Sequence, residues 1–269
     1  MKKLMAVLLA AMMLLGVVSV ASADQLSDIQ AKGVLELGAN IEFPPYEFYW
    51  TNPETGEDEI AGFDMDLARG IANELGVELK INDQAFSGLV TALSVGDLDM
   101  VISGLAIKPE RLEVVDFSDP YFSGDQIMLV RAADFDSLKT VEDMTGKKVG
   151  AQLGSLQQGI LEEQFGKSEP LLLDKPSILA LELATGNIDG WLITDLVAKQ
   201  YMVIYPELKI SDVPVEYDSA AGIGAAVPKG DNASLLEIVN AYIARVKADG
   251  TWDKWMDDAV KKSVSLLAD

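Results

Sequence analysis

Apolar positions along this chain alternate between two spacings. A β-rich apolar run begins near Val34 and continues to Gly38. Leu67, Ile71 and Leu75 then recur at helical spacing, with Asp64 placed to cap the helix start and Gly76 to end it. The strand spacing returns at Val77 to Ile81, and Ser87 is positioned to cap a helix through Leu93 that stops at Gly96. Met100 to Leu105 reads as a further buried strand, after which Lys108-Pro109 opens a short helix carrying Arg111. Strand and helix in turn predict a wound, mostly parallel α/β sheet. From Asp231 onward the pattern is helical. Ser234 and Glu237 match a capping box, Leu235, Val239, Tyr242 and Val246 share one face, and Gly250 closes the helix. Asn232, though part of a glycosylation-like triplet, is read as a cap, and Trp252 and Trp255 in the helix that follows are read as packing residues.

A weak internal echo divides this pattern in two. ALSVGDLDMVIS, from Ala92 to Ser103, matches ELATGNIDGWLI, from Glu182 to Ile193, in its leucine, glycine, apolar and aspartate positions. Each copy is a helix, a glycine stop, an acidic turn and a strand. Either two lobes share this unit, or few turn chemistries exist and chance repeats one. If the echo is real, the segment from Ser103 to Arg111 and the pair Thr194-Asp195 take matching places in separate lobes and face each other. The length of 269 residues exceeds a typical single domain.

The first 23 residues do not fit the fold pattern. Lys2 and Lys3 precede an apolar run to Val20, and Ala21-Ser22-Ala23 is a small-residue cleavage site, so residues 1–23 are expected to be a cleaved signal peptide. A bacterial periplasm fits this best, with a freely secreted protein as the alternative. The chain has no cysteine, hence no disulfide framework and no thiol for a lipid anchor. Its net charge is −22 and becomes more negative once Lys2 and Lys3 leave, a field that repels nucleic acid and anionic lipid. Histidine is absent as well. Without histidine or cysteine, zinc-activated hydrolysis and histidine-based triads are disfavoured, and no metal or cofactor is expected.

Four places carry candidate chemistry. Arg111 stands just past a strand's carboxyl end, where ligands bind in open α/β sheets, and a guanidinium there can grip a carboxylate through two charge-assisted hydrogen bonds. Its alternative is a surface pair with Glu110 or Glu113. Phe43, beside Pro44-Pro45, and Phe86 are rings that either sandwich a small ligand or simply cover the sheet edge. VGAQLGSLQQ, from Val149 to Gln158, leads through Gly154 into a helix beginning near Ser155, whose free N–H groups favour an anion unless it is an ordinary strand-to-helix turn. It lacks the Gly-Lys-Ser/Thr ending of a phosphate-binding loop. Asp195 follows the apolar WLIT run and either balances an ammonium group or caps the next helix.

In order and spacing, these segments resemble the family 3 extracellular solute-binding proteins. The resemblance is carried by GFDMDLARGIANEL (Gly62 to Leu75), FSGLVTALSVGDLDMVISG (Phe86 to Gly104), KPERLEVVDFSDPYF (Lys108 to Phe122), LKTVEDMTGKKVGAQLGS (Leu138 to Ser155) and the NIDGWLITD run. It implies a type II periplasmic binding protein clamp. Residues 24–125 and 224–269 would form one lobe and 126–223 the other, each a mostly parallel sheet flanked by helices. Two crossover strands, near Gln126 to Val130 and Ala220 to Gly224, would be the hinge. It further implies a monomeric, non-catalytic receptor that hands an amino acid or related carboxylate to the membrane permease of an ATP-binding cassette importer.

By the same resemblance Arg111 binds the ligand's α-carboxylate with help from Gly154 and Ser155, Asp195 holds the α-ammonium, and Phe43 and Phe86 flank the side chain. Ser103, Gly104, Gln152 and Gln157 complete the expected site, with Asn40, Glu42 and Glu47 as further specificity positions. Relatives that bind basic ligands often carry an acid where Asn40 stands, which favours a polar uncharged ligand here. The chain departs from the family at Ala106 and Lys108, where hydroxyl residues are usual, and at Leu156. One carboxylate donor is therefore missing: either Ser103 or a water replaces it, or the ligand is not a standard α-amino acid. A secreted cyclohexadienyl dehydratase on the same fold is the alternative, with a lysine or carboxylate as general acid.

Overall fold

The computed structural model describes residues 24–218 and 221–265. The expected signal peptide at 1–23 and Ala220 of the second expected crossover lie outside the described residues. Helix α1 (Gln25–Lys32) leads into β1 (Val34–Ala39), in which Leu35, Leu37 and Ala39 are buried at every second position. A small antiparallel sheet follows, made of β2 (Glu42–Phe43), β3 (Glu47–Thr51) and β4 (Asp58–Ala61). Helix α2 (Phe63–Leu75) buries Phe63, Leu67, Ile71 and Leu75 on one face, and Gly76 ends it in the left-handed conformation. Then come β5 (Glu78–Asp83), α3 (Leu89–Ser94), β6 (Met100–Val101), α4 (Pro109–Leu112) and β7 (Val115–Phe117).

The second half repeats the plan with β8 (Gln126–Arg131), β9 (Lys148–Gln152), α5 (Leu156–Gln164), β10 (Glu169–Leu173), α6 (Pro176–Ala184), β11 (Gly190–Thr194), α7 (Asp195–Ile204) and β12 (Leu208–Ile210). The chain then returns to β13 (Ala226–Pro228), α8 (Ala233–Ala248) and α9 (Thr251–Ser265). Two five-stranded sheets result, ordered β5-β1-β6-β13-β7 and β10-β9-β11-β8-β12. In each, three parallel strands are followed by an antiparallel one, and that fourth strand is the segment that has just crossed from the other sheet. The chain crosses between Phe117 and Gln126 and recrosses between Ile210 and Ala226.

The sequence echo has a structural counterpart. Gly96 and Gly186 adopt φ of 85° and 83°, and the aspartates that follow, Asp99 and Asp189, accept backbone N–H bonds from Glu36 and Lys148 on the neighbouring parallel strand at 2.7 and 2.9 Å. An acidic side chain thus pins each turn to the next strand and aims β6 and β11 at the space between the lobes.

Four sequence expectations fail locally. Met100 to Leu105 is not one strand, because Gly104 turns at φ 56° and directs the chain toward Arg111. Asp64 does not cap α2. Gly62 takes the cap position, and the Asp64 side chain turns inward. Ser87 lies in a short 3-10 turn, Phe86–Gly88, and its hydroxyl reaches Asp174 on the other lobe rather than the start of α3. Ser234 donates to Asp24 instead of forming a capping box. Asn232 sits at the cap position but gives its amide to Asp116 and the Pro228 carbonyl. At each of the misplaced caps a partner distant in sequence wins over the local backbone. Trp252 packs as expected, its ring 5.4 Å from that of Phe63 and 5.6 Å from that of Tyr121.

Candidate functional site

The carboxyl ends of β1, β6, β9 and β11 converge on a cavity of about 40 Å³ between the lobes. Phe43, Tyr46, Phe86, Gly104 and Arg111 border it from one side, and Gln152, Ser155, Gln157 and Thr194 from the other. Arg111 leaves only 6% of its surface exposed. Its Nη1 donates to the Ala106 carbonyl at 2.7 Å, its Nη2 crosses the cleft to the Gly154 carbonyl at 2.9 Å, and the guanidinium lies 5.7 Å from the centre of the Phe86 ring. Burial pushes its pKa down to about 10, with nearby Glu110 opposing the shift, so the group stays protonated at neutral pH. Glu110 itself pairs with Lys108. Among the described residues no carboxylate is hydrogen-bonded to Arg111, so its hydrogen bonds go to backbone carbonyls.

Opposite it, Ser155 caps α5 by accepting the Gln158 N–H at 3.2 Å, leaving the first-turn N–H groups of Leu156 and Gln157 without intrahelical partners beside the cavity. Gly154 is required twice over. Its φ is 76°, and a Cβ would sit 3.0 Å from Ser87 Cα on the facing lobe. Gln157 donates to Gln126 at 2.7 Å. The buried Thr194 hydroxyl, beside that of Tyr46, meets no partner at hydrogen-bond geometry.

Several contacts join the lobes directly. Gln152 Nε2 donates to Asn40 Oδ1 at 3.1 Å and to the Asp174 carbonyl at 2.8 Å, and both side chains of the first pair are buried. Ser87 donates to Asp174 Oδ1 at 2.8 Å, while Lys175 and Ser177 both bond Glu42. Gln152→Ala deletes a neutral bond made only when the lobes meet, worth about 0.5–1.5 kcal/mol. We expect calorimetry to show roughly threefold to tenfold weaker ligand binding, and the lost bond to the Asp174 carbonyl to lower the melting temperature slightly.

The predicted residues are not all equivalent. Phe43, Phe86, Gly104, Arg111, Gln152, Ser155 and Gln157 border the cavity, and the Gly154 carbonyl bonds Arg111 across the cleft. Ser103 lies behind the wall, accepting the Asn40 N–H and donating to Glu47. Asp195 is outside the lining and pairs with Lys199 at 2.6 Å. Neither Glu42 nor Glu47 lines the cavity. Tyr46 and Tyr217 were not singled out by sequence, while Thr194 was placed facing the cleft beside Asp195 and Gln126 was named only as the start of a crossover strand. Tyr46 was within reach, three residues past Phe43, whereas Gln126 and Tyr217 lie on crossing segments with no periodicity to mark them.

Residues 35–261 match the family model described as bacterial extracellular solute-binding proteins, family 3. The ABC transporter arginine-binding protein 1 of Escherichia coli is 31% identical over 225 residues, covering 83% of this chain and 89% of the relative. The arginine-binding extracellular protein ArtP of Bacillus subtilis is 31% identical over 258 residues, 94% of this chain and 96% of its own. Among solved structures, the amino acid ABC transporter substrate-binding protein AbpA from Streptococcus pneumoniae, bound to L-arginine, superposes with a TM-score of 0.84 at 33% identity, covering 88% of this chain and 98% of that one. Two sheet-bearing lobes facing each other across a cleft, and a match running through nearly all of both, place this chain in family 3 of the bacterial extracellular solute-binding proteins.

Proposed function

We propose that this protein is the receptor of an ATP-binding cassette importer, capturing a polar amino acid between its lobes and presenting it to the permease. The observation that carries this reading is Arg111: protonated, nine-tenths buried and without a carboxylate partner among the described residues. Buried charges are normally paired, and an incoming α-carboxylate supplies the missing partner. It would take the guanidinium from one side and the free N–H groups at the start of α5 from the other. A cavity of about 40 Å³ holds a few waters. An amino acid therefore enters only when the lobes part and Arg111 releases the Gly154 carbonyl. The lobes divide near residues 125 and 224, with the crossing segments as hinge. Closure is favoured because only the closed state lets both lobes touch the ligand.

The ligand side chain meets rings and amides. Phe43, Tyr46, Phe86 and Tyr217 supply apolar faces, and Gln126, Gln152 and Gln157 supply hydrogen-bonding groups. The α-ammonium falls to Thr194 and Asp195. Lys199 holds the Asp195 carboxylate until the ligand's ammonium displaces it. Asp195→Ala is then expected to weaken binding at least tenfold, and Lys199→Ala to leave it unchanged or tighter. Calorimetry across the amino acids tests the whole reading. Arginine, histidine and cystine come first, because relatives are named for them. Failure of every amino acid to bind sinks it.

The dehydratase alternative needs a general acid at the ligand. Lys108 does not serve, since it pairs with Glu110 and lines a separate groove behind Ala106. The residues bordering the cleft cavity include no aspartate, glutamate or lysine, and Asp195, the carboxylate this reading brings to the ligand, is taken up by the ammonium. Residues 1–23 act as a cleaved leader that delivers the protein outside the cytoplasm, and among the described residues no helix is long and apolar enough to cross a membrane.

A further inference from the structure

Directly behind the cleft wall lie two carboxyl groups that ligand binding does not use. Glu47 of β3 is 1% exposed and Asp64 of α2 is 0% exposed. Asp64 Oδ2 accepts the Gly104 N–H at 2.7 Å and the Tyr121 hydroxyl at 2.9 Å. Glu47 Oε1 accepts the Ser103 hydroxyl at 2.7 Å, and that hydroxyl accepts the Asn40 N–H at 3.0 Å. The second oxygen of each, Glu47 Oε2 and Asp64 Oδ1, meets no donor, yet the two carboxyls are within hydrogen-bonding reach of each other.

The surroundings offer no compensating charge. Tyr46 and Tyr121 face the pair as neutral phenols, Asp83 of β5 adds a negative field, and Asp195 lies near Tyr46. Among the described residues no lysine or arginine is paired with either carboxyl. Two ionised carboxylates in contact, buried and without a cation, would each bear the full cost of burial plus mutual repulsion. A single proton between them removes one charge and satisfies both orphaned oxygens. Burial raises both groups above the ordinary carboxyl range. Asp64 accepts two donors, the Gly104 N–H and the Tyr121 hydroxyl, and Glu47 accepts one, the Ser103 hydroxyl, so the charge is better held on Asp64 and the proton on Glu47.

We propose that Glu47 and Asp64 hold one proton between them at neutral pH, and that this protonated pair fixes the cleft floor, making Glu47 a positioning residue for ligand capture. The chain of bonds runs from the pair to Ser103 and Gly104, on to Asn40, and across the cleft to Gln152. Loss of the proton would drive the carboxylates apart and shift Gly104, which borders the cavity. The positioning half rests on the receptor reading above, and the proton itself does not.

The test uses the mature protein and its Glu47→Gln variant, whose amide donates to Asp64 as the carboxylic acid does and accepts from Ser103. Infrared spectroscopy without ligand is expected to show the carbonyl stretch of a buried protonated carboxyl at neutral pH in the wild type and not in Glu47→Gln. Thermal unfolding gives a second readout. A carboxyl whose folded pKa is raised holds its proton longer in the native state than in the unfolded one, so stability falls as pH rises from the unfolded carboxyl range toward the folded value. Glu47→Gln removes most of that slope, so its melting temperature should gain on the wild type steadily as pH rises above the unfolded carboxyl range. Amino-acid affinity should weaken several-fold in the wild type at the alkaline end and stay flat in Glu47→Gln. Absence of the carboxyl band, its persistence in Glu47→Gln, or a melting difference independent of pH overturns the shared proton. Equal pH profiles of affinity, with the band behaving as expected, overturn the positioning role. If no amino acid binds, the first two readouts still decide the proton. Should Glu47→Gln fail to fold, the wild type alone still decides: its carboxyl band must fade as pH rises while its melting temperature falls, and a band or a melting temperature indifferent to pH overturns the shared proton.

Discussion

Arg111→Ala is expected to weaken amino-acid binding at least thirtyfold. Truncating one member of a buried, hydrogen-bonded charge pair costs about 2–5 kcal/mol, much of it from stranding the partner charge. Here the stranded group would be the ligand carboxylate, left with the α5 start and no cation. Thirtyfold corresponds to the lower end of that range. The substitution also deletes the bonds to the Ala106 and Gly154 carbonyls and the contact with Phe86. Closure should therefore suffer even without ligand. Arg111→Lys separates the two effects. Lysine keeps the charge but not the planar fork that reaches Ala106 and Gly154 together. It should recover part of the affinity while leaving closure impaired, as read by small-angle scattering with and without ligand. An unchanged dissociation constant for Arg111→Ala, measured by calorimetry, would remove the foundation of the proposed function.

How much of this was legible in the sequence depends on the range of the interactions concerned. The strand-helix alternation was readable because burial on one face repeats at fixed spacing, as Leu67, Ile71 and Leu75 do on α2. Arg111 was readable because Lys108-Pro109 marks a helix start and the strand before it marks a sheet end. Caps were misjudged where the side chain had a better partner far away, as with Asp64 to Gly104, Ser87 to Asp174 and Ser234 to Asp24. The charge states were invisible for the same reason. Nothing local distinguishes Glu47, buried against Asp64, from Glu42, which reaches out to Lys175 and Ser177. Asp195 stands at the expected strand end, but Lys199, one turn along α7, claims its carboxylate.

The floor of the cleft depends on one backbone position that no other residue can occupy, and Gly62→Ala should show it. Gly62 precedes α2 at φ 121° and ψ 154°, a conformation open essentially to glycine alone. A Cβ there would lie 2.0 Å from the Tyr46 carbonyl oxygen and 2.8 Å from the Glu47 nitrogen. Both obstacles are backbone, so no side-chain rotation relieves the clash. The Asp64 N–H donates to that same Tyr46 carbonyl at 3.0 Å, and the Phe63 N–H donates to the Pro45 carbonyl at 3.3 Å. Moving the loop aside therefore breaks the joint between β3 and α2. Backbone strain of about 1–3 kcal/mol adds to an overpacking cost of similar size. A loss of about 3–5 kcal/mol is expected in denaturant unfolding. Because Tyr46 borders the cavity and Glu47 anchors Ser103, the surviving folded fraction should also bind ligand more weakly. Gly56→Ala is the control. Gly56 also has a positive φ, 73°, but open space surrounds it and it lies far from the cleft in the β3–β4 turn. It should lose only the local strain energy and bind normally. If Gly62→Ala unfolds no more easily than Gly56→Ala, the contact between the α2 start and the Tyr46 loop is not what holds the wall in place.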